Sequence, residues 1–589
     1  MAYNSYKEDE KSVEKSKLQT LKRLLSYLLK YKWTIVLVLM LMGYCVVVSL
    51  INPLIIESAI DNHIGNKDYI GLYKLLIIAL IINLIATFAI KLRMYIMAKM
   101  CNQILLTIRQ ELYTHIQKLG FKFFDSRPTG KILSRIIGDI NSLKDVLSNC
   151  VTTLIPDFIT VCAVVIIMFS KNPKLAVAAL ISTPFMAIAI TMIQVKAHPR
   201  WQTFRKKSSN LNAFLHEDMS GMKIIHSFTA EKETEETFDE LLNEHKSSFR
   251  SAVRLSDCFG SVIDFSWGFG CVALYFIGIV VLKDENISVG TFLAFGTYIN
   301  MFWQPINNLS NFYNQITTNI AGAERIFEIL DTKPEIEDEK GVVDLPDIKG
   351  EVTFDHVTFG YDEEKVLDDV SFVIKPGETI AIVGPTGAGK STIINLISRF
   401  YDANEGRVLL DGYDVKDVSI ESLRKQVGTM TQENFIFSGT VKDNIRYGKL
   451  DATDEEIIEA AKAVNAHEFI MKLDKCYDTE LLERGGGLSI GQKQILALAR
   501  TMGSKPKILI LDEATSSIDT KTELIVQKGI DKLLSGRTSF VIAHRLSTIK
   551  RADRIFVVDN GKIIEEGNHR QLLEKKGAYY NLYMAQFNI

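Results

Sequence analysis

The 589-residue sequence lacks the features of a disulfide-bonded, zinc-binding or nucleic-acid-binding protein. Its seven cysteines are scattered and none forms a C-x-x-C pair, which argues against a zinc site or a disulfide framework. Neither sign of charge is in excess, with 68 basic and 70 acidic side chains, so nothing indicates nucleic acid as a partner. No cleavable signal peptide is visible, since residues 1–17 are polar and are predicted to form a disordered tail.

Long apolar runs, by contrast, are abundant in the first half of the chain. A bilayer is crossed by about 20 apolar residues, and six stretches reach this length. The last is the weakest, because Asn300, Gln304 and Asn307 interrupt it. The loops after spans two and four are long and basic, which predicts that they and both termini are cytoplasmic. The predicted spans are 33–54, 75–97, 151–170, 175–195, 259–282 and 288–313.

The character of the sequence changes after about residue 321. Residues 331–350 are acidic and contain two prolines, which indicates a linker, and beyond them predicted strands alternate with helices. We therefore predict an all-α six-helix transmembrane domain followed by an α/β P-loop ATPase domain. The predicted division is a cytoplasmic tail (1–17), a transmembrane domain with long cytoplasmic helix extensions (18–330), a linker (331–350) and a nucleotide-binding domain (351–589).

The most specific chemical motif follows the apolar strand predicted at 379–383. In a G-x-x-x-x-G-K-S loop, backbone N–H groups and the N-terminus of the following helix bind phosphate. The lysine reaches the β- and γ-phosphates and the serine binds Mg²⁺. The strand before it and the helix after it argue against a chance glycine-rich turn, so we predict ATP and Mg²⁺ as cofactors. The residues assigned to this site are Gly384, Pro385, Thr386, Gly387, Ala388, Gly389, Lys390, Ser391 and Thr392.

A second motif is an apolar stretch, 508–511, that ends in the carboxylates of Asp512 and Glu513. Ligands of α/β folds bind at the carboxyl ends of strands. We expect Asp512 to hold Mg²⁺ or its water, and Glu513 to be the general base or to orient the attacking water. The alternative is a solvated acidic turn, which the phosphate loop earlier in the chain makes a poor explanation.

The order and spacing of these motifs resemble those of ATP-binding cassette transporters, specifically the exporter half-transporters. These proteins fuse one six-helix membrane domain to one nucleotide-binding domain, and the resemblance covers nearly all of the chain after about residue 18. It implies an ATP hydrolase coupled to export, or leaflet flipping, of a hydrophobic or amphipathic substrate across the cytoplasmic membrane by alternating access. An ATP-gated channel or regulatory subunit with the same architecture is the alternative.

The resemblance also assigns roles that the residues alone do not reveal. Tyr361 corresponds to the aromatic residue that stacks on adenine, and Gln432 to the glutamine that contacts Mg²⁺ and water. Asp519 corresponds to the D-loop aspartate. His544 corresponds to the switch histidine that contacts the γ-phosphate. The implied catalytic set is Glu513, His544 and Gln432, and the implied metal ligands are Ser391, Gln432 and Asp512.

The segment Leu488–Gln492 resembles the signature motif, which caps the ATP held by another subunit. Ser489, Gly491 and Gln492 are the implied nucleotide contacts, while Ile490 departs from the glycine more common at that position. Taken alone, the segment is an ordinary helix start. One signature in a chain with one phosphate loop implies a second half-transporter as partner, in a homodimer or a heterodimer.

Two carboxylates lie inside the predicted spans, Asp157 and Asp264. Ionisable groups in hydrocarbon usually face a cavity or a partner, so we expect both to line a translocation cavity and to attract a cationic amphiphile. The alternative is that they bond neighbouring helices or lie nearer an interface. Lipid and peptide substrates are equally compatible with the sequence. Residues 124–130 and 216–221 resemble the regions of the two coupling helices, near the tips of the long loops.

Overall fold

The structure is a computed structural model that describes residues 17–282, 287–338, 341–361, 364–431, 434–513, 520–543 and 546–587. The described residues therefore do not include Gln432, Asp519 or His544. The chain divides into two compact units. We call residues 118–128 together with those from 332 onwards the sheet unit, and the described residues up to 117 together with 129–331 the helical unit.

The helical unit consists of long helices joined by short turns, several of them π-helical. Residues 121–125 form a short helix that belongs to the sheet unit. The helices of this part of the chain are α1 (Lys17–Leu29), α2 (Lys32–Ser58), α3 (Tyr69–Ile116), α4 (Phe121–Asp125), α5 (Thr129–Ser134), α6 (Ile140–Asn149), α7 (Ile155–Lys171), α8 (Pro173–Leu180), α9 (Thr183–Phe228), α10 (Glu231–Tyr275) and α11 (Val289–Asp331).

Five helical segments in the described residues are long and apolar enough to cross a membrane, and each coincides with one predicted span. The sixth predicted span falls in α11, which is not among the five. Its polar residues and the internal Pro305 lower its apolar character. The five segments are Lys32–Ile64, Tyr69–Ile116, Thr129–Lys171, Pro173–Phe228 and Glu231–Val281.

The core of the helical unit brings α2, α7, α8, α10 and α11 together around buried apolar side chains. Tyr298 is 1% exposed, and its hydroxyl donates a hydrogen bond to the carbonyl oxygen of Leu50 at 2.9 Å. The outward surfaces remain apolar, since Phe88 and Phe185 are 66% and 71% exposed. Apolar side chains on the outside as well as the inside are typical of helices surrounded by lipid.

Helices α9 and α10 form an antiparallel hairpin. The indole N–H of Trp201 on α9 donates to the hydroxyl of Ser256 on α10 at 2.8 Å. The chain reverses at Thr229, whose φ of 53° is left-handed. Residues 216–221 therefore lie within α9, in the part of the helix that leads to the tip. Helical periodicity continues through that segment, so the sequence pattern did not mark the end of the helix.

The sheet unit is an α/β domain with a six-stranded sheet in the order β12-β11-β3-β10-β9-β6. Its pairs are parallel except for β11 with β12. A four-stranded antiparallel sheet has the order β2-β1-β4-β5, and β7 pairs with β8. The strands are β1 (Val352–Gly360), β2 (Lys365–Ile374), β3 (Thr379–Val383), β4 (Glu405–Leu410), β5 (Tyr413–Asp414), β6 (Val427–Met430), β7 (Gly439–Thr440), β8 (Glu480–Leu481), β9 (Ile508–Glu513), β10 (Thr538–Ala543), β11 (Arg554–Asp559) and β12 (Lys562–Gly567).

One face of the six-stranded sheet packs on helices, and the other face packs on the four-stranded sheet together with the helix at 390–397, which gives two apolar cores. Strands buried on both faces have continuous apolar sequences, as β3 and β9 do. The parallel arrangement brings the carboxyl ends of β3, β9 and β10 to one edge. The helices are α12 (Lys390–Ile397), α13 (Ile420–Gln426), α14 (Val441–Arg446), α15 (Asp454–Ala463), α16 (His467–Ile470), α17 (Ile490–Gly503), α18 (Thr520–Leu534), α19 (Leu546–Arg551), α20 (His569–Lys575) and α21 (Ala578–Phe587).

Candidate ATP-binding site

The phosphate loop connects β3 to α12 through backbone conformations that require glycine. Gly384 has φ of 153°, and a Cβ atom there would lie 2.1 Å from the carbonyl oxygen of Val558. Gly389 has φ of 104° and directly precedes α12, where a Cβ atom would lie 2.8 Å from the side chain of Leu367. The loop is therefore packed too closely for larger residues at both ends, which leaves its backbone N–H groups and the start of α12 available to an anion.

Lys390 provides the positive charge of this loop. Its ammonium group donates hydrogen bonds to the carbonyl oxygens of Gly384, at 2.9 Å, and Pro385, at 2.8 Å. Burial lowers the pKa of Lys390, and the negative charge of Asp512 opposes that shift. The lysine and the aspartate are thus close enough to interact electrostatically. Phosphate oxygens are stronger acceptors than the two carbonyls, so the loop is suited to bind a polyphosphate.

Tyr361 lies just after β1, beside the helix that follows the phosphate loop. Its hydroxyl is 3.2 Å from that of Thr392 and accepts a 3.4 Å hydrogen bond from the amide of Asn395. Its ring makes edge-to-face contacts with Phe359 and Tyr401, both with centroids 5.0 Å apart. The structure thus brings Tyr361 to the phosphate loop helix, while its contact with adenine remains a prediction. No sequence signal had identified Asn395 or Tyr401 as its supports.

The donor groups near the loop fit Mg²⁺. Asp512 lies at the carboxyl end of β9, and the hydroxyl of Ser391 is exposed at the start of α12. Mg²⁺ typically takes one or two protein oxygens and completes its shell with water and phosphate. Among the described residues no group of three His, Cys, Asp or Glu could hold a metal ion. A serine hydroxyl and one carboxylate therefore suit a metal that arrives with the nucleotide.

Of the predicted catalytic residues, the structure describes the backbone of Glu513. Glu513 is the last residue of β9 and pairs in register with Ala543 of β10. This register directs the residues that follow both strands to the same edge of the sheet. The roles predicted for Gln432, Asp519 and His544 remain predictions.

The signature segment forms the N-terminus of α17. Ser489 is the N-cap residue: its hydroxyl accepts a 3.2 Å hydrogen bond from the N–H of Gln492. The side-chain oxygen of Gln492 accepts in return from the N–H of Ser489 at 2.9 Å, which completes a capping box. Gly491 is buried, whereas Ile490 is 56% exposed. Ser489 is exposed at a helix N-terminus, where phosphate binding is favoured.

In the helical unit, the two carboxylates of the predicted spans have different environments. Asp157 lines a cavity of about 490 Å³ between α7 and α11, and its carboxylate accepts a 3.0 Å hydrogen bond from the amide of Asn308. The rest of the lining is mostly apolar and includes Phe158 and Pro305. Asp264 is exposed and is not part of this lining. The structure therefore does not bring the two aspartates together in one cavity of the single chain.

Comparisons with known proteins give matches to both halves of the chain. Residues 33–306 match the ABC transporter transmembrane region family, and residues 367–516 match the ABC transporter family. An uncharacterized ABC transporter ATP-binding protein of Bacillus subtilis is 42% identical over 572 residues, or 96% of this chain and 94% of the relative. An ATP-dependent lipid A-core flippase of Syntrophus aciditrophicus is 39% identical over 486 residues, or 82% and 81% of the two chains.

One solved structure is similar to this protein over nearly the whole of both chains. The structure of a bacterial Atm1-family ABC exporter with ATP bound matches with a TM-score of 0.79 and 27% sequence identity. The match covers 95% of this chain and 99% of that chain. The similarity therefore extends over both the membrane-type helices and the sheet-containing domain.

Proposed function

Because the chain belongs to the ABC transporter family, as an exporter with membrane and ATP-binding regions in one polypeptide, we propose that it hydrolyses ATP to transport its substrate. The chain is an integral membrane protein by its apolar helices and its relatives. The observation that carries the proposal is the glycine-constrained phosphate loop with Lys390 at its end, in a chain whose described residues also include five membrane-length helices.

The proposed chemistry uses groups at the carboxyl edge of the six-stranded sheet. Lys390 and the loop backbone bind the triphosphate, Ser391 and Asp512 hold Mg²⁺, and Tyr361 contacts the adenine ring. When bound, Mg²⁺ neutralises charge on the β- and γ-phosphate oxygens. Glu513 accepts a proton from the attacking water or orients it. Gln432 and His544 complete the proposed catalytic set, in the roles that the family resemblance assigns to their sequence positions.

The working unit is proposed to be a dimer of half-transporters. The exposed N-terminus of α17 provides a phosphate-binding surface that the family resemblance assigns to the nucleotide of a second subunit. An exposed aromatic patch of Phe435, Phe437 and Tyr447 is a further candidate contact, because apolar patches of this kind mark interaction sites. The exposed Ile224 and Phe228 at the tip of the α9–α10 hairpin are another. We assign these surfaces to contacts with the second half-transporter.

The proposed substrate is hydrophobic or amphipathic, and it moves from the cytoplasmic side by alternating access. Support comes from the mostly apolar cavity beside Asp157 and from the relative named as a lipid flippase. The basic residues of the long loops support a cytoplasmic location for the sheet unit and both termini.

The decisive variant is Glu513→Gln, studied in the full chain reconstituted in lipid vesicles. We expect it to retain ATP binding and to accumulate an ATP-bound dimer with little turnover, because the water is no longer activated. Turnover equal to that of the parent chain would rule out Glu513 as the catalytic carboxylate.

Vesicle transport separates an exporter from a channel that uses the same architecture. An exporter accumulates substrate against its gradient only while ATP is hydrolysed, and Glu513→Gln abolishes the accumulation. A channel passes solute downhill and builds no gradient. Downhill flux without accumulation would therefore support the channel instead.

A further inference from the structure

The short helix α4 packs against the rest of the sheet unit through three contacts of different kinds. The rings of Phe121 and Phe400 have centroids 4.4 Å apart. The ammonium group of Lys122 lies 3.8 Å from the carboxylate of Glu335. The hydroxyl of Tyr401 donates a short hydrogen bond to the carboxylate of Asp125. The first two contacts are apolar packing and an exposed ion pair, whereas the third is directional.

Tyr401 also contacts the residue predicted to bind adenine. Its ring is 7% exposed and meets the ring of Tyr361 edge to face, with centroids 5.0 Å apart. The ring of Tyr401 also contacts that of Phe359, with centroids 5.6 Å apart, and Phe359 contacts Tyr361 as well. Tyr361 in turn bonds to Thr392 on the phosphate loop helix. A continuous series of contacts therefore runs from Asp125 through Tyr401 and Tyr361 to the nucleotide site.

The protonation state of Tyr401 determines which partner donates in the hydrogen bond to Asp125. Burial raises the pKa of Tyr401, and the hydrogen bond to Asp125 and its negative charge raise it further. The hydroxyl therefore stays protonated at physiological pH and always acts as the donor to the carboxylate. Such a charge-assisted hydrogen bond is stronger and more sensitive to geometry than a neutral one.

We propose that Tyr401 is a positioning residue through which the base of the bound nucleotide, rather than its phosphates, controls the order of α4. The proposal rests on the proposed function, because it takes Tyr361 as the adenine contact. Adenine stacked on Tyr361 fixes that ring, the edge-to-face contact fixes Tyr401, and its hydroxyl holds Asp125. Coupling between two sites is reciprocal, so a change at α4 alters the affinity for the base to the same degree.

The experiment is hydrogen exchange of residues 118–128 in the full chain in lipid nanodiscs. ADP occupies both the base and phosphate subsites, whereas inorganic pyrophosphate occupies only the phosphate subsite. We expect saturating ADP to slow exchange in this segment by roughly fivefold or more, the lower range of allosteric coupling. Pyrophosphate is expected to protect the phosphate loop but not residues 118–128. Equal protection of this segment by the two compounds would overturn the proposal.

Two variants test the hydrogen bond itself. Tyr401→Phe keeps the ring contacts and removes the hydroxyl, and Asp125→Ala removes the acceptor. Each is expected to abolish the ADP-dependent protection of residues 118–128, and the double variant to have no larger effect, because both remove one interaction. Tyr413→Phe is the matched control, since Tyr413 is 48% exposed in the same domain, and it should behave as the parent chain does. Additive losses, or protection that persists in Tyr401→Phe, would contradict the link.

A measurement of ADP binding distinguishes a failure of this inference from a failure of the proposed function. Calorimetric titration of the parent chain with ADP reports binding directly. If ADP does not bind, the proposed function itself is wrong. If ADP binds and protects the phosphate loop but leaves residues 118–128 unchanged, only the link through Tyr401 is wrong.

Discussion

The ammonium group of Lys390 lies 2.9 Å from the carbonyl oxygen of Gly384, so the lysine bonds back to the first residue of the loop that it follows. A second bond to Pro385 completes this closure at 2.8 Å. The two bonds hold the ammonium group over the loop that is proposed to bind phosphate.

Removal of this charge tests the phosphate site most directly. We expect Lys390→Ala to lower ATP turnover by roughly a hundredfold or more, by analogy with the loss of one transition-state donor. Lys375→Ala is the control, because Lys375 is an exposed lysine of the same domain, and its turnover should be unchanged. ATPase rates of the two variants in nanodiscs provide the measurement, and equal rates would contradict the assignment.

The affinity for ATP should depend on pH through the same residue. Burial lowers the pKa of Lys390 in the free protein, whereas a bound triphosphate favours the charged form and raises it. Binding thus takes up a proton when the pH lies between the two values. ATP affinity should be constant below the pKa of the free protein and fall as the pH rises through it. Titration calorimetry at several pH values should show this fall in the parent chain and not in Lys390→Ala.

Two glycines of the loop should respond differently to alanine. At Gly384 the new Cβ atom would lie 2.1 Å from the carbonyl oxygen of Val558, while at Gly387 it would meet nothing within 4 Å. We expect Gly384→Ala to lower the free energy of unfolding by about 3 kcal/mol, the upper range for overpacking. Gly387→Ala should cost only about 1 kcal/mol, from its positive φ of 85°. Thermal unfolding of the nucleotide-free chain compares them, and equal shifts would contradict the packing argument.

The capping and phosphate-binding roles of Ser489 can be separated. Ser489→Ala removes the cap and should cost about 1 kcal/mol of stability. Ser489→Asp retains a capping oxygen but places a negative charge where phosphate is proposed to bind, so we expect normal stability with strongly reduced ATP turnover. Ser419→Ala, which removes the cap of α13, should lower stability without the specific loss of turnover. Full activity of Ser489→Asp would show that no phosphate binds at this helix end.

The carboxylate of Asp157 predicts which substrates the cavity accepts. Asp157→Asn keeps the shape and removes the charge, so transport of a cationic dye such as tetraphenylphosphonium should fall by roughly tenfold, equivalent to about 1.4 kcal/mol. Transport of a neutral amphiphile should not change. Asp264→Asn is a useful comparison, since Asp264 is not part of the cavity lining. Parental transport of the dye by the double variant would refute a charge-based cavity.

Much of the fold was predictable because membrane and nucleotide sites constrain local sequence. Apolar runs of about 20 residues or more predicted six spans, and five of them coincide with membrane-length helices in the described residues, since lipid requires continuous apolar surface. The phosphate loop was predictable because Gly384 and Gly389 adopt positions that only glycine fits. The sequence pattern did not define the end of the sixth span or the tip of the α9–α10 hairpin, because helical periodicity, whether interrupted or continuous, does not mark where a helix ends.

The sequence by itself determined the chemistry of this protein: a phosphate loop, a carboxylate-ended strand and a series of long apolar helices, all encoded in short contiguous segments. Tertiary structure decided which distant residues meet. The contact of Tyr401 with Asp125 joins residues 276 positions apart, and that of Asp157 with Asn308 joins residues 151 apart. Neither pair has a local pattern, because such contacts depend on how helices and loops pack rather than on the periodicity of any one of them.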